Sequence, residues 1–258
     1  MPARFRVAAD NADIALISGD QPGWGERAAS AVRSRMRAVM LTGFRSMTAD
    51  AISSLSEEAS DADVIVAAAT PYATNPGWAA TLPLIAADLQ ASAVLDSVAT
   101  VPIPAVGSVA ACNAALRAAL TSQLAVIRQL VPEFGGLATA HASDHGYVLA
   151  GATPGISVTL AGTVSGAGGE HLALDLVGPA HHWHAALHAD ANAFPARISI
   201  SGPDGERIWP PVYESGYRAA WASLHEAIST QTAPGYPADQ LARDLAAAEA
   251  ALRSSRDR

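Results

Sequence analysis

RAVMLTGFRSMTADAISSLSEEASDADVIVAAATP, residues Arg37 to Pro71, is the stretch whose reading decides the fold. Arg37 to Thr42 (RAVMLT) is a short apolar run stopped by Gly43, and Asp63 to Ala69 (DVIVAAA) is another, stopped by Thr70-Pro71. Such runs, apolar without alternation, mark parallel strands buried on both faces. Between them Thr48 is placed to cap a helix in which Ile52, Leu55 and Ala59 recur at helical spacing. Upstream, Asp13 to Ser18 (DIALIS) ends in Gly19 and is followed by a helical stretch from Trp24 to Met36. Strand, helix, strand, helix, strand predicts a doubly wound unit. Downstream, Pro76 to Leu89 reads as a helix and Ser92 to Val101 (SAVLDSVATV) as that sheet's fourth strand.

Pro102 and Pro104 mark a break, after which Ser108 to Val131 reads as one long helix with Cys112, Leu116, Leu120, Leu124 and Ile127 on one face. The pattern then changes. Gly136 to His141, Ile156 to Val164, His171 to Val177, His182 to Ala189 and Arg197 to Ser201 alternate as antiparallel strands do, with Gly, Pro, Asp and Asn between them. Two helices close the chain, one through Tyr217, Trp221, Leu224 and Ile228, the other after Pro237 through Leu241, Leu245, Ala248 and Leu252. The expected class is α/β: an N-terminal Rossmann-like doubly wound parallel sheet over residues 1–104, then an α+β domain with an open, mainly antiparallel sheet over 105–258. Residues 216–254 are expected to pack back on the first domain.

Composition removes several function classes. All 16 basic residues are arginine, so a P-loop lysine, a Schiff-base lysine and a Ser-Lys hydrolase are excluded. A net charge of −8, with the arginines scattered, argues against nucleic acid. No stretch reads as a membrane span and no basic n-region precedes an apolar core, so a cytoplasmic protein is expected. The single cysteine, Cys112, lies in a helical pattern and reads as a buried, inert thiol.

Two stretches resemble the Gfo/Idh/MocA family of glucose-fructose oxidoreductases and inositol dehydrogenases. DADVIVAAATPYATNPGWAATLPLIAADL (Asp61 to Leu89) is similar to the family's third strand, Thr-Pro-Asn loop and following helix, and Tyr213 to Ser255 is similar to its closing helices. The resemblance implies a shortened, diverged member whose relatives are NAD(P)-dependent dehydrogenases, with a C-terminal sheet for substrate binding and oligomerisation.

Matched position by position, this chain departs from the family four times. The phosphate loop reads GDQPGWG and keeps one glycine of the Gly-x-Gly-x-x-Gly fingerprint in either register, although Gly19, Gly23 and Gly25 could form a longer anion loop. The ribose position holds no acid; Arg45 there would suit a 2′-phosphate and favours NADP. The Thr-Pro-Asn loop becomes Thr70-Pro71-Tyr72, with Asn75 at the histidine that follows, and the lysine motif falls on Asp96-Ser97-Val98. The proton-transfer histidine finds its nearest match in Asp144-His145-Gly146-Tyr147.

Three groups then carry candidate chemistry. His182, His184 and His188 fall on one face of a strand, with His181 and Trp183 on the other. They would serve as a substrate surface or as acid/base groups, and equally as a polar outer face. A metal would need Glu170 or Asp190 as a further ligand, and none is expected. His141, Asp144, His145 and Tyr147 form a second candidate catalytic group. Tyr72, Asn75 and Asp96 form a third, placed at strand ends where α/β ligands bind.

The catalytic candidates are thus His141, Asp144, His145, Tyr147, His182 and His184, and the substrate-binding candidates Tyr72, Asn75, Asp96, Trp183 and His188. The expected function is a small-molecule enzyme without a cofactor, of cyclase, isomerase or dehydratase type. The alternatives are an NADP-dependent imine or carbonyl reductase and a non-catalytic partner subunit. A homo-oligomer through the C-terminal sheet is also expected.

Overall fold

The computed structural model describes residues 12–89, 93–102, 108–132, 134, 136–166, 169–189 and 194–253. The first three strands, β1 (Ile14–Ser18), β2 (Ala38–Thr42) and β3 (Ile65–Ala68), form a parallel sheet in the order β1-β2-β3. The connecting helices, α1 (Trp24–Arg33) and α2 (Ala49–Asp61), pack on each other and on this sheet. Thr48 accepts from Ala51 N and caps α2, as its sequence implies. Helix α5 (Gly216–Thr230) covers the other face through Trp221 and Leu224, reaching β2 and β3. It leaves Leu16 of β1 57% exposed.

Eight strands form the second sheet, in the order β11-β10-β9-β8-β4-β7-β6-β5. They are β4 (Ala93–Pro102), β5 (Ala138–Ser143), β6 (Gly146–Thr153), β7 (Ile156–Ser165), β8 (His171–Val177), β9 (His182–His188), β10 (Arg197–Gly202) and β11 (Gly205–Ile208). The expected fourth strand of the first sheet is therefore a central strand of the second, parallel to β7 and antiparallel to β8. The change of sheet falls between α3 (Pro76–Asp88) and β4, ahead of the expected boundary at 104. Strands β6 and β11 are elements the sequence reading passed over.

Helix α4 (Val109–Ile127) lies across β4 and β7, and α6 (Ala238–Arg253) packs on α2 and α4 and ties the two sheets together. By length and composition α4 would suffice to cross a membrane, contrary to the expectation that no stretch qualifies. Two thirds of its most apolar window is buried in the protein, which marks it as a core helix. Its buried Gln123 is fully engaged: it donates to Ser97 Oγ at 3.0 Å and to Ala161 O at 3.0 Å, and accepts from Tyr147 OH at 2.5 Å. Gly162 makes room for that phenol, since a Cβ there would lie 2.3 Å from Tyr147 Cζ.

Candidate functional site

Ligands of open parallel sheets bind beyond the carboxyl ends of the strands. Here those ends carry Gly19-Asp20, Gly43-Phe44-Arg45 and Ala69 to Pro71, and they face α4, the start of β8 and the start of α5 across a crevice of about 100 Å³. Ala115, Ala118, Ala119 and Ser122 of α4 form one wall, and Glu170 and Tyr217 close the other side. The alanines leave space where larger side chains would fill it.

The loops around the crevice interlock. Asp20 accepts from Arg45 N at 3.1 Å, and Gly43, at φ 62°, turns the chain there. Thr74 Oγ1 lies 2.7 Å from both Thr70 O and Gly216 O, so the loop after β3 is fastened to the start of α5. Gly216 is required at that contact, because a Cβ would meet Pro71 O at 2.0 Å. Tyr72 donates to Glu170 Oε1 at 3.3 Å. Burial, then the charges of Glu170 and Asp20, hold the Tyr217 phenol above its ordinary pKa, so it stays protonated at neutral pH.

No family model matches the sequence, and no curated protein matches it. Solved structures do match in three dimensions. An aldose-aldose oxidoreductase from Caulobacter crescentus superposes with a TM-score of 0.75 at 13% identity, over 96% of this chain and 79% of that one. A UDP-N-acetylglucosamine 3-dehydrogenase from Acidithiobacillus ferrooxidans gives 0.72 at 12% identity, over 98% and 84%. A putative NADPH-dependent oxidoreductase from Desulfitobacterium hafniense gives 0.75 at 11%, over 90% and 74%. The chain has the Gfo/Idh/MocA fold. Identities this low establish architecture and leave the chemistry to be argued from the residues.

In a dinucleotide-binding sheet the pyrophosphate sits on the glycine turn after the first strand, at the point where strand order reverses. Among the described residues the parallel sheet runs β1-β2-β3 with no reversal. The turn after β1 is tight at Gly19 and open at Gly25, where a Cβ would meet nothing within 4 Å. A Cβ on Gly19 would meet Gly43 O at 2.3 Å and Met47 at 2.5 Å, so the space its missing side chain leaves is already taken by protein. Gly23, at φ 69°, is the N-cap of α1, Gly25 lies in that helix's first turn, and the Asp20 carboxylate adds negative charge beside Gly43.

The residues singled out from sequence do not converge. Arg45 lines the crevice, and Tyr72 is bonded to Glu170, which lines it too. Asp96, His182, His184 and His188 lie on the open face of the second sheet, where Asp96 stands opposite Asp175 and Asp175 opposite His184. Asp175 accepts from His182 Nε2 at 2.7 Å and from His184 Nδ1 at 3.0 Å. Its burial raises the carboxyl pKa, but these bonds and the histidine charges outweigh that and lower it. His141, Asp144 and His145 sit in the β5–β6 hairpin at the sheet's far edge.

Three candidates are structural, which corrects the expectation. Tyr147 is fully buried against α4, and its burial raises the phenol pKa strongly. Trp183 points into the core and donates to Asp88 Oδ2 at 2.7 Å. Asn75 caps α3, accepting from Gly77 N and Trp78 N. The match of the family's lysine motif to Asp96-Ser97-Val98 also falls, because these residues are in mid-strand and Ser97 faces Gln123.

No group of three or more His, Cys, Asp or Glu among the described residues is arranged to hold a metal; Asp190 lies outside those residues. Sequence reasoning missed Ser122 and Tyr217. They come from distant segments, and Tyr217 lies on a helical stripe that looks like core.

Proposed function

We propose that the chain is a small-molecule enzyme acting by acid/base chemistry in the crevice, without a nicotinamide cofactor. The observation that carries this reading is the crevice itself: the Glu170 carboxylate and the protonated Tyr217 phenol face one space walled by alanines. Glu170 would take a proton from a carbon or hydroxyl of the substrate, with Tyr72 donating to the same carboxylate to fix its orientation. Tyr217 would donate to the substrate oxygen on which negative charge develops, and Arg45 would hold an anionic or carbonyl group at the rim. Proton removal at one atom and return at another is isomerase, cyclase or dehydratase chemistry. At about 100 Å³ the space suits a reacting group of a few heavy atoms, well below the ~300–1,000 Å³ of full-sized ligand pockets.

Calorimetric titration with NAD(H) and NADP(H) tests the proposal, and micromolar binding of any of them overturns it. Incubating metabolite extracts with the wild type and with Glu170→Gln should yield a compound that only the wild type consumes.

A second reading, an NADP-dependent imine or carbonyl reductase, is favoured by Arg45 in the crevice and by the NADPH-dependent name of one structural neighbour. Arg45→Ala keeping full NADPH affinity would refute it. We also propose that the open sheet face joins copies of the chain, since Val94, Val98, Val148 and Val177 are exposed on it. Light scattering that finds only monomer counts against this.

A further inference from the structure

Helix α4 serves two concavities. The residues that wall the crevice, Ala115, Ala118, Ala119 and Ser122, form one stripe; Ala110, Asn113, Ala114 and Arg117 form another, offset by five positions, or about 140° around the helix. That second stripe lines a cavity of about 750 Å³, shared with the end of α6 and the β5–β6 turn. Its size falls within the ~300–1,000 Å³ typical of small-molecule sites.

The chemistry of its lining is specific. Ala110, Ala114 and Leu252 offer an apolar floor. Glu249 sits between two arginines: Arg117 Nη1 is 3.2 Å from Oε1, and Arg253 Nη1 is 3.8 Å from Oε2. Arg117 is held firmly, its Nη2 donating to Arg45 O at 2.6 Å. Its Nε is buried with no partner, and a buried donor left unpaired is costly. Arg253 is held loosely and its side chain is 71% exposed, so it can turn to a ligand at little cost. A guanidinium beside an apolar floor recognises a carboxylate attached to a hydrocarbon body. Glu249 and Asp144 in the same lining repel a dianion such as a phosphate monoester.

We infer that this cavity is a second binding site, for a small amphipathic monocarboxylic acid, with the carboxylate on Arg253 and the hydrocarbon on Ala110, Ala114 and Leu252.

Octanoate and 1-octanol are the probes, titrated calorimetrically into the full chain. Octanoate should bind saturably at one site, and octanol at least about tenfold more weakly. Arg253→Gln should remove the preference for the acid, and Ala114→Trp, which fills the cavity, should abolish binding of both. Thermal unfolding of each variant checks that it is folded, and Arg45→Ala in the crevice should leave octanoate affinity unchanged. The inference is overturned if octanoate does not saturate below about 10 mM, if binding survives both cavity variants, or if Arg45→Ala alone removes it.

Discussion

Replacing Asp244 by alanine tests how the crevice walls are held. Asp244 lies on α6 with no solvent exposure and accepts from Arg128 Nε at the C-cap of α4 and from Tyr236 OH at 2.7 Å. The Tyr236 carbonyl in turn accepts from Ala68 N at the end of β3. One carboxylate thus joins α4, α6 and β3, and both α4 and the segment after β3 line the crevice. Burial raises its pKa, and the bonds from Tyr236 and Arg128 only partly offset this, so the ionised acid depends on its partners.

Removing one member of a buried pair costs ~3–5 kcal/mol. The low end applies, because Arg128 keeps Phe134 O at 2.7 Å and Pro132 O at 3.3 Å, while Tyr236 OH is left unpaired. About 3 kcal/mol, at ~2–4 °C per kcal/mol for a chain of this size, lowers Tm by roughly 6–12 °C. Circular dichroism at 222 nm on heating measures it, with Asp244→Asn expected to lose less because it keeps an acceptor for Tyr236. A shift under about 2 °C for Asp244→Ala would refute the reasoning.

Three further outcomes are expected. Tyr147→Phe leaves Gln123 Oε1 without its donor and should cost about 1–3 kcal/mol while leaving any crevice activity intact, which separates its structural role from a catalytic one. Gly216→Ala forces a Cβ against Pro71 O and should destabilise the fold by roughly 1–3 kcal/mol and lower crevice activity together. Asp175 has a folded pKa below its unfolded one, so the unfolded chain takes up the proton first; the stabilisation is present above the ordinary carboxylate range and lost as pH falls through the folded pKa. The wild type should therefore lose more stability than Asp175→Asn between about pH 5 and pH 3 in acid unfolding followed by tryptophan fluorescence.

The parallel unit was legible because its strands are apolar throughout, and β2 is buried at four of its five positions. The sheet to which β4 belongs was legible too, in a signal read differently. AVLDSVATVP alternates buried and exposed with Asp96 at its middle, the pattern of a strand with one open face and unlike β2. Strand β6 hid behind its residues: Gly151 gives up its side chain to Phe134, and Tyr147 beside two histidines looked like chemistry. The crevice was only partly legible. Position after a strand gave Arg45 and Tyr72, but Glu170 and Tyr217 arrive from segments about a hundred and more residues downstream, which no local pattern connects.

The place of β4 in the second sheet also governs the order in which the chain can fold. Strands β1 to β3 and their helices pair with near neighbours, whereas Ala93 pairs with Ile156 and Val94 with Val177. At ~5–20 residues per second of synthesis, β4 is made about 3–17 s before its partners are synthesised. A ten-residue strand with an apolar face, waiting that long, is a template for pairing with other chains. Asp96 at its middle and Pro102 at its end interrupt that template. The carboxylate that contributes nothing to the crevice thus sits where a charge opposes pairing of an unpartnered central strand with other chains.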